Sequence, residues 1–388
     1  MPLDRRKFIV GGAAAGGTAL VAGCTSADDG TASTTTAETS GATSPTPVPA
    51  ELADTELPEA PEQPLRVIID SDAANEIDDQ FALAWALMAP EALQIEAITA
   101  APFSFGDYLA GLLAAQEARG EGPATPFEEL AVTTGSEGIE KLRSDAGAGA
   151  GMSASLAEIE RVLDAAAPVN RPPAVPGSES FLPSVTEPVP SAAATAIIEA
   201  AHAGDTPLYV PVLGAATNVA SALLEDPTIA DRIVVVFVAG FPSASPQVDE
   251  SFNLLGDVNA SRVLFAKAPK LLYIPGYGVS ETLTTPKVEV DAYLAGRGAL
   301  GDLLAELMAR KVAPDGRTVP GNRRVMWDMA PIAWLIDQGW LSTFRTGRGT
   351  IRDDHRWEPA PGEMTEAFQI DDVAVFTDFF ARFDPDRG

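Results

Sequence analysis

The chain has 388 residues, 46% of them apolar, with 26 basic and 55 acidic side chains and a formal charge of −29. That apolar content can bury a sizeable core, in one large domain or two small ones. The charge argues against nucleic acid or an anionic membrane surface as electrostatic partners, because phosphate contacts need a basic face.

In chain order, Arg5-Arg6-Lys7-Phe8-Ile9 is a twin-arginine pattern, followed by a small-residue, apolar stretch from Ile9 to Ala22. That stretch is too short for a comfortable membrane span. Val21-Ala22-Gly23-Cys24 is similar to a lipobox, which implies cleavage before Cys24 and a lipid on its sulfur; a plain signal peptide with an incidental cysteine is the alternative. Cys24 is the single cysteine, so no intrachain disulfide can form. Residues 25–64 are rich in Ser, Thr and Pro without apolar periodicity. Such a segment cannot bury enough surface to order itself and reads as a tether. The expected organisation is a leader over 1–24, a tether over 25–64 and a folded domain over 65–388. The expected location is the outer side of the membrane, attached only through a lipid on Cys24.

From Leu65 onward strands and helices alternate. Strands are expected over 66–70, 94–99, 208–213, 233–238 and 271–274. Helices are expected over 79–88, 107–118, 153–166, 191–203, 216–224, 257–267, 299–311, 326–337 and 372–382. Short apolar strands separated by helices imply an α/β fold, with an open, mostly parallel sheet covered on both faces. Ligands of such sheets sit beyond the carboxyl ends of the strands. Residues 120–151, rich in Gly and Ala, and 168–190, with seven prolines, are expected to be long loops.

The densest chemistry follows the first strand. Asp70-Ser71-Asp72-Ala73-Ala74-Asn75-Glu76-Ile77-Asp78-Asp79 places five acidic residues between the apolar run Val67-Ile68-Ile69 and an apolar-rich helix. Clustered carboxylates raise one another's pKa unless hydrogen bonds or a cation compensate, and a hard divalent ion held by oxygen is the simplest compensation. At a helix start, Asp78 and Asp79 splay by roughly 100°, so they can serve different tasks. Asp328, in an expected apolar helix, would be costly there as an unpaired charge. Trp327 and Trp334, seven apart, read as core packing, with substrate stacking as the alternative. His202 reads as structural, and His355 as a surface-loop residue or an acid reaching the site. The chain has neither a Gly-x-x-x-x-Gly-Lys phosphate loop nor a Gly-x-Ser-x-Gly elbow.

The aspartate run resembles the N-terminal signature of the inosine-uridine-preferring nucleoside hydrolase family. Further similarities follow in order: Leu213-Gly214-Ala215-Ala216-Thr217-Asn218-Val219-Ala220, then Ile233 to Gly240, then Phe252-Asn253-Leu254 with Asp257 and Ala260, then Val325-Met326-Trp327-Asp328-Met329-Ala330. The resemblance implies a Rossmann-like nucleoside hydrolase fold with a calcium ion. It implies calcium ligation by Asp72, Asp79, Asp328 and the main-chain carbonyl of Thr217. Asp72 would also take a proton from the attacking water, Asp78 and Asn253 would bind ribose hydroxyls, and Asp70 would support the cluster from behind. Four departures stand out. Two extra residues lie between Asp72 and Asp78, and Asn75 among them is a candidate ligand contact. Ser104 is nearest to an asparagine usually expected after the second strand. Trp327 stands where some members place a histidine that protonates the departing base, which tryptophan cannot do. Ser251 also takes the place of a family glutamate, with Glu250 next door. The expected activity is hydrolysis of an N-glycosidic bond in a nucleoside or related riboside; the alternative is a lipid-anchored sugar- or nucleoside-binding protein without turnover. The expected partner is a small-molecule nucleoside or glycoside, with no nucleic acid; a homo-oligomer stays open.

Overall fold

Within residues 65–71 the successive apolar side chains of Val67, Ile68 and Ile69 are all buried, so both faces are covered, the mark of a central strand. Val67 and Ile69 enter one hydrophobic cluster and Ile68 the other. The computed structural model describes residues 56–58, 63–106, 147–249, 251–310 and 323–384. The expected leader, Cys24, most of the expected tether, the helix expected over 107–118 and Glu250 lie outside these.

The strands are β1 (Leu65–Ser71), β2 (Leu93–Ala100), β3 (Ala174–Val175), β4 (Leu208–Val212), β5 (Ile233–Ala239), β6 (Leu271–Pro275), β7 (Thr284–Pro286), β8 (Arg323–Val325), β9 (Leu341–Ile351) and β10 (Trp357–Ile370). Eight form one sheet in the order β3-β2-β1-β4-β5-β6-β10-β9, while β7 and β8 pair separately. All pairings in the large sheet are parallel except β10 with β9. The expected α/β sheet is therefore present, and the five expected strands are its centre.

The helices are α1 (Asp78–Leu87), α2 (Ala148–Ala166), α3 (Ala192–Ala203), α4 (Thr217–Glu225), α5 (Phe252–Gly256), α6 (Val258–Lys267), α7 (Lys287–Tyr293), α8 (Gly298–Arg310), α9 (Met329–Ile336) and α10 (Asp372–Ala381). One face of the sheet packs against α1, α2, α8, α9 and α10. The other packs against α3, α4 and α6. The chain runs from β1 outward to β3, then returns to β4 on the other side of β1. The crevice between the ends of β1 and β4 is thus a topological switch point, where open α/β sheets bind ligands.

The structure departs from the sequence expectation at several elements. Ala148 to Gly151 form the first turn of α2 instead of a loop, and a side chain at Gly151 would put its Cβ 2.0 Å from the Phe103 carbonyl oxygen. The proline-rich 168–190 stretch is mostly loop but contributes the short β3. The helix expected over 326–337 begins at Met329, leaving Trp327 and Asp328 in the turn before it. The β9–β10 ribbon was not expected at all, because Thr343, Phe344 and Arg345 face solvent and Pro359 to Glu363 breaks its register. An exposed ribbon with a bulge lacks the apolar run that marks a buried strand.

Arg348, buried on β9, ties this ribbon to the core. Its guanidinium donates to the carbonyls of Phe265 (2.6 Å), Ala268 (2.8 Å), Pro269 (3.0 Å) and Glu363 (2.9 Å). Phe265 and Ala268 lie at the carboxyl end of α6, whose terminal carbonyls otherwise lack donors. Arg348→Ala is expected to cost about 2–4 kcal/mol in urea unfolding, because buried acceptors lose their partners. A loss below ~1 kcal/mol would show that the ribbon docks without this anchor.

Candidate active site

β1 ends where the carboxylates begin. Asp70 Oδ1 accepts hydrogen bonds from Thr99 Oγ1 (2.7 Å) and Asn218 Nδ2 (2.8 Å), so β2 and α4 both hold it. The next turn is closed by Asn75 N donating to the Asp72 carbonyl (2.8 Å). It is steadied by Gln80 Nε2 on the Ala73 carbonyl (2.6 Å). Asp72 packs against Gly214 beyond β4; a Cβ there would lie 2.7 Å from Asp72 Cγ, so the approach requires glycine. α1 then presents Asp78 and Asp79 in its first turn, where the helix N-terminus favours negative charge. Ser71 Oγ donates to Asp79 Oδ1 (2.5 Å). From the far end of the chain, Asp328 sits at the start of α9 with its main-chain N 3.4 Å from Asp78 Oδ2.

Asp78, Asp79 and Asp328 each offer a carboxylate oxygen, and these atoms lie within 4.8 Å of one another. Asp72 stands beside this trio, in hydrogen-bonding reach of Asp79. The expected ligand set was Asp72, Asp79 and Asp328 with the Thr217 carbonyl; Asp78 is in the trio that converges within this distance. All four acids are buried. Burial raises the Asp79 carboxyl to about 6, against the opposing hydroxyl of Ser71. Burial, then the charges of Asp79 and Glu76, raise Asp78 to about 8. Asp72 and Asp328 lie well above the usual carboxylate range, from burial first and then from neighbouring aspartates. Burial lifts Asp70 to about 6 despite Asn218 and Thr99. Asp79 Oδ2 is buried without a hydrogen-bond partner. An oxygen-only donor set with an orphaned carboxylate oxygen and mutual repulsion fits a hard divalent cation.

A cavity of about 180 Å³ opens over these acids, and no Lys, Arg or His is among the described residues lining it. Asn75, Asn253 and Trp327 line it. Asn253 Nδ2 is committed to the carbonyls of Leu213 (2.6 Å) and Val238 (3.0 Å), so the side chain is fixed by the backbone of two strand ends. Ser251 also lines the cavity, with its Oγ buried and unpartnered. Thr217 opens α4 with its hydroxyl donated to Asp257 Oδ2 (2.8 Å), leaving only its main chain for a ligand. Asp70 and Thr217 are not part of the cavity lining.

Three other residues lie outside the cavity lining. Trp334 packs in the core near Tyr209 (6.2 Å), so the two tryptophans part ways. His202 pairs with Asp226 (2.8 Å) at the end of α3, consistent with a structural role. His355 is absent from the cavity lining; its carbonyl accepts from Asp249 N (2.7 Å).

Sequence reasoning missed Tyr277. It lines the cavity beyond β6, stacks on Phe241 (4.3 Å, 25°) and meets Trp327 edge-on (5.6 Å, 72°). Its position just after the carboxyl end of a parallel strand was the available signal.

The profile of the family described as "Inosine-uridine preferring nucleoside hydrolase" matches residues 67–376. Among solved structures, a plant nucleoside hydrolase is 15% identical with a TM-score of 0.60, covering 83% of this chain and 100% of its own. A purine-preferring ribonucleoside hydrolase from Gardnerella vaginalis is 17% identical with a TM-score of 0.54, covering 82% and 98%. An inosine-uridine preferring nucleoside hydrolase from Bacillus anthracis is 14% identical with a TM-score of 0.50, covering 82% and 98%. These likenesses show the fold. No curated protein sequence matches the chain.

The electrostatics set a pH dependence. Each cluster acid holds its proton to a higher pH when folded than the ordinary value near 4. Between about pH 4 and 8 the folded state therefore binds more protons than the unfolded state, and stability falls as pH rises. In EDTA, Tm is expected to drop across this window; millimolar calcium should flatten the drop, because the ion binds ionised acids. A Tm that rises with pH in EDTA would contradict the cluster's burial.

Proposed function

We propose, for a chain that belongs to the inosine-uridine preferring nucleoside hydrolase family, that this cavity hydrolyses the N-glycosidic bond of a nucleoside or related riboside with calcium held among its carboxylates. The chain is a hydrolase acting on N-glycosyl compounds. The observation that carries the finer reading is a buried cluster of aspartates at a sheet's switch point, with no basic residue in the described lining and an aromatic wall alongside. The structural neighbours named as purine-preferring and as inosine-uridine preferring nucleoside hydrolases support a nucleoside substrate.

In this reading Asp72, Asp79, Asp328 and the carbonyl of Thr217 hold the ion. When bound, calcium supplies charge that orients water and the sugar diol together. Asp72 accepts a proton from the attacking water, general-base help on the order of 10²–10⁴-fold. As the glycosidic bond lengthens, the sugar gains oxocarbenium character, and the surrounding carboxylates stabilise that positive charge. Asp78 accepts from ribose hydroxyls. Asn253, its amide nitrogen already committed, offers Oδ1 to the sugar, and Ser251 Oγ adds a donor. Trp327 lies against the base. Asp70 steadies the end of β1 through Thr99 and Asn218.

The test is reducing-sugar release from a nucleoside panel by the mature protein. Turnover should require calcium, stop with EDTA and be lost in Asp79→Ala. Calcium titration should show affinity falling by more than about tenfold in Asp79→Asn and Asp72→Asn, and less in Asp78→Asn. The reverse ranking would move Asp78 from sugar to metal. Tight nucleoside binding without turnover anywhere in a broad panel would favour the binding-protein alternative.

The reading places the enzyme outside the cytoplasm, exported by its twin-arginine leader and anchored through a lipid on Cys24. Exchanging Arg5 and Arg6 for lysine should trap the precursor inside the cell. Normal export of that variant would remove the leader assignment.

A further inference from the structure

The departing base has no evident acid. Nitrogen leaves with the electron pair of the glycosidic bond, so a neutral base becomes an anion unless it is protonated. Around this cavity the described lining offers no imidazolium, and Trp327 is part of that lining. Indole donates a hydrogen bond but does not supply a proton. Tyr277 is a phenol, a far weaker acid than an imidazolium. The buried aspartates belong to the cation end.

Two further features set what the cavity favours. Its lining carries five carboxylates, those of Asp72, Glu76, Asp78, Asp79 and Asp328. A bound divalent ion offsets only two of these charges. Glu76 is exposed and belongs to the turn between Asp72 and Asp78 that carries the two extra residues. Beside these acids stands an aromatic wall, with Tyr277 stacked on Phe241 and set edge-on to Trp327. Aromatic faces attract cations, more strongly where water is excluded.

We infer that the substrates of this site are ribosides whose base already carries a fixed positive charge, such as N-ribosyl pyridinium compounds, and that Glu76 and the Trp327–Tyr277 wall select them. The inference rests on the hydrolase reading above. In the reaction, the C1′–N bond breaks and its electron pair neutralises the ring nitrogen, so no proton need be added. Water oxygen bonds to C1′ and its proton passes to Asp72 and on to solvent. The products are neutral base, free sugar and one proton. The same acidic lining disfavours a nucleotide, whose phosphate would meet like charge.

The experiment separates binding from turnover, because a pyridinium leaves readily from any enzyme. Calcium-loaded protein is titrated with 1-methylnicotinamide, a cation, and with nicotinamide, its neutral counterpart. The cation is expected to bind about tenfold more tightly or better at low ionic strength, with the advantage shrinking in 0.5 M salt by roughly the screening expected at a Debye length of a few ångströms. Glu76→Gln and Trp327→Leu should each cut that advantage by about threefold or more. Equal affinities for the two bases overturn the inference. In turnover, nicotinamide riboside should exceed inosine and uridine in kcat/KM by about 100-fold or more. Comparable rates for the neutral nucleosides overturn the inference and leave the hydrolase reading intact. Absence of turnover with every riboside, while calcium and 1-methylnicotinamide still bind, overturns the hydrolase reading itself.

Discussion

Repulsion among buried carboxylates is the constraint on which the rest of this molecule turns. Asp72, Asp78, Asp79 and Asp328 are drawn from the end of the first strand, the start of the first helix and the start of a helix some 250 residues later. Among the described residues, nothing cationic lines the space between them. Folding therefore works against charge at this point unless protons or a metal ion relieve it. The core must supply the difference, and its two hydrophobic layers are continuous across both faces of the sheet. A site of this kind is destabilised by its own donors until it is filled, and that is what gives it affinity.

The ties behind the acids are uncharged or singly acidic, and each reaches across the chain. Asp70 is held by Asn218, whose Oδ1 accepts in turn from Ser178 N (2.9 Å) and Ser178 Oγ (3.1 Å) in the proline-rich loop. Asp257 accepts from Leu182 N (2.8 Å) in the same loop and from Thr217 Oγ1 (2.8 Å), and it caps α6 through Ala260 N (2.9 Å). The loop over 168–190 is thus pinned twice, once behind each wall of the crevice. Its prolines limit the freedom of the chain before folding, which lowers the cost of ordering it. This explains how a stretch with almost no regular structure can serve as scaffolding for the site.

The acidic end of the site was legible because its residues are contiguous. Five acids after an apolar strand have a direct physical meaning, and the strand itself is marked by Val67, Ile68 and Ile69. The central strands were legible for the same reason: buried parallel strands are short apolar runs. Of the aromatic end only Trp327 was legible, because Phe241 and Tyr277 come from two other turns and meet it only through the sheet's order. Asp78 joining Asp79 and Asp328 was equally hidden, since carboxylate convergence depends on where α9 begins, and that start was misplaced by three residues. The β9–β10 ribbon escaped notice because its exposed residues and its bulge at Pro359 to Glu363 interrupt any periodic pattern.

That ribbon reaches back toward the crevice. Trp357 Nε1 donates to Asp249 Oδ2 (3.1 Å), which also accepts from Phe241 N (2.8 Å). Glu366 accepts from Ser243 N (3.2 Å) and from its hydroxyl, while Tyr273 Oη lies 2.7 Å from the carbonyls of both Ala239 and Phe241. The segment bearing Phe241 is therefore seated by Tyr273 and by two residues of the ribbon, Trp357 and Glu366, more than a hundred positions downstream of their partners. As the polypeptide leaves the ribosome, the acids of β1 and α1 emerge first and the aromatic wall gains its supports last. A nascent chain stopped before the ribbon would expose its early aspartates without the surface that gives a substrate something to rest against, so synthesis itself delays a competent enzyme until the final quarter has been made.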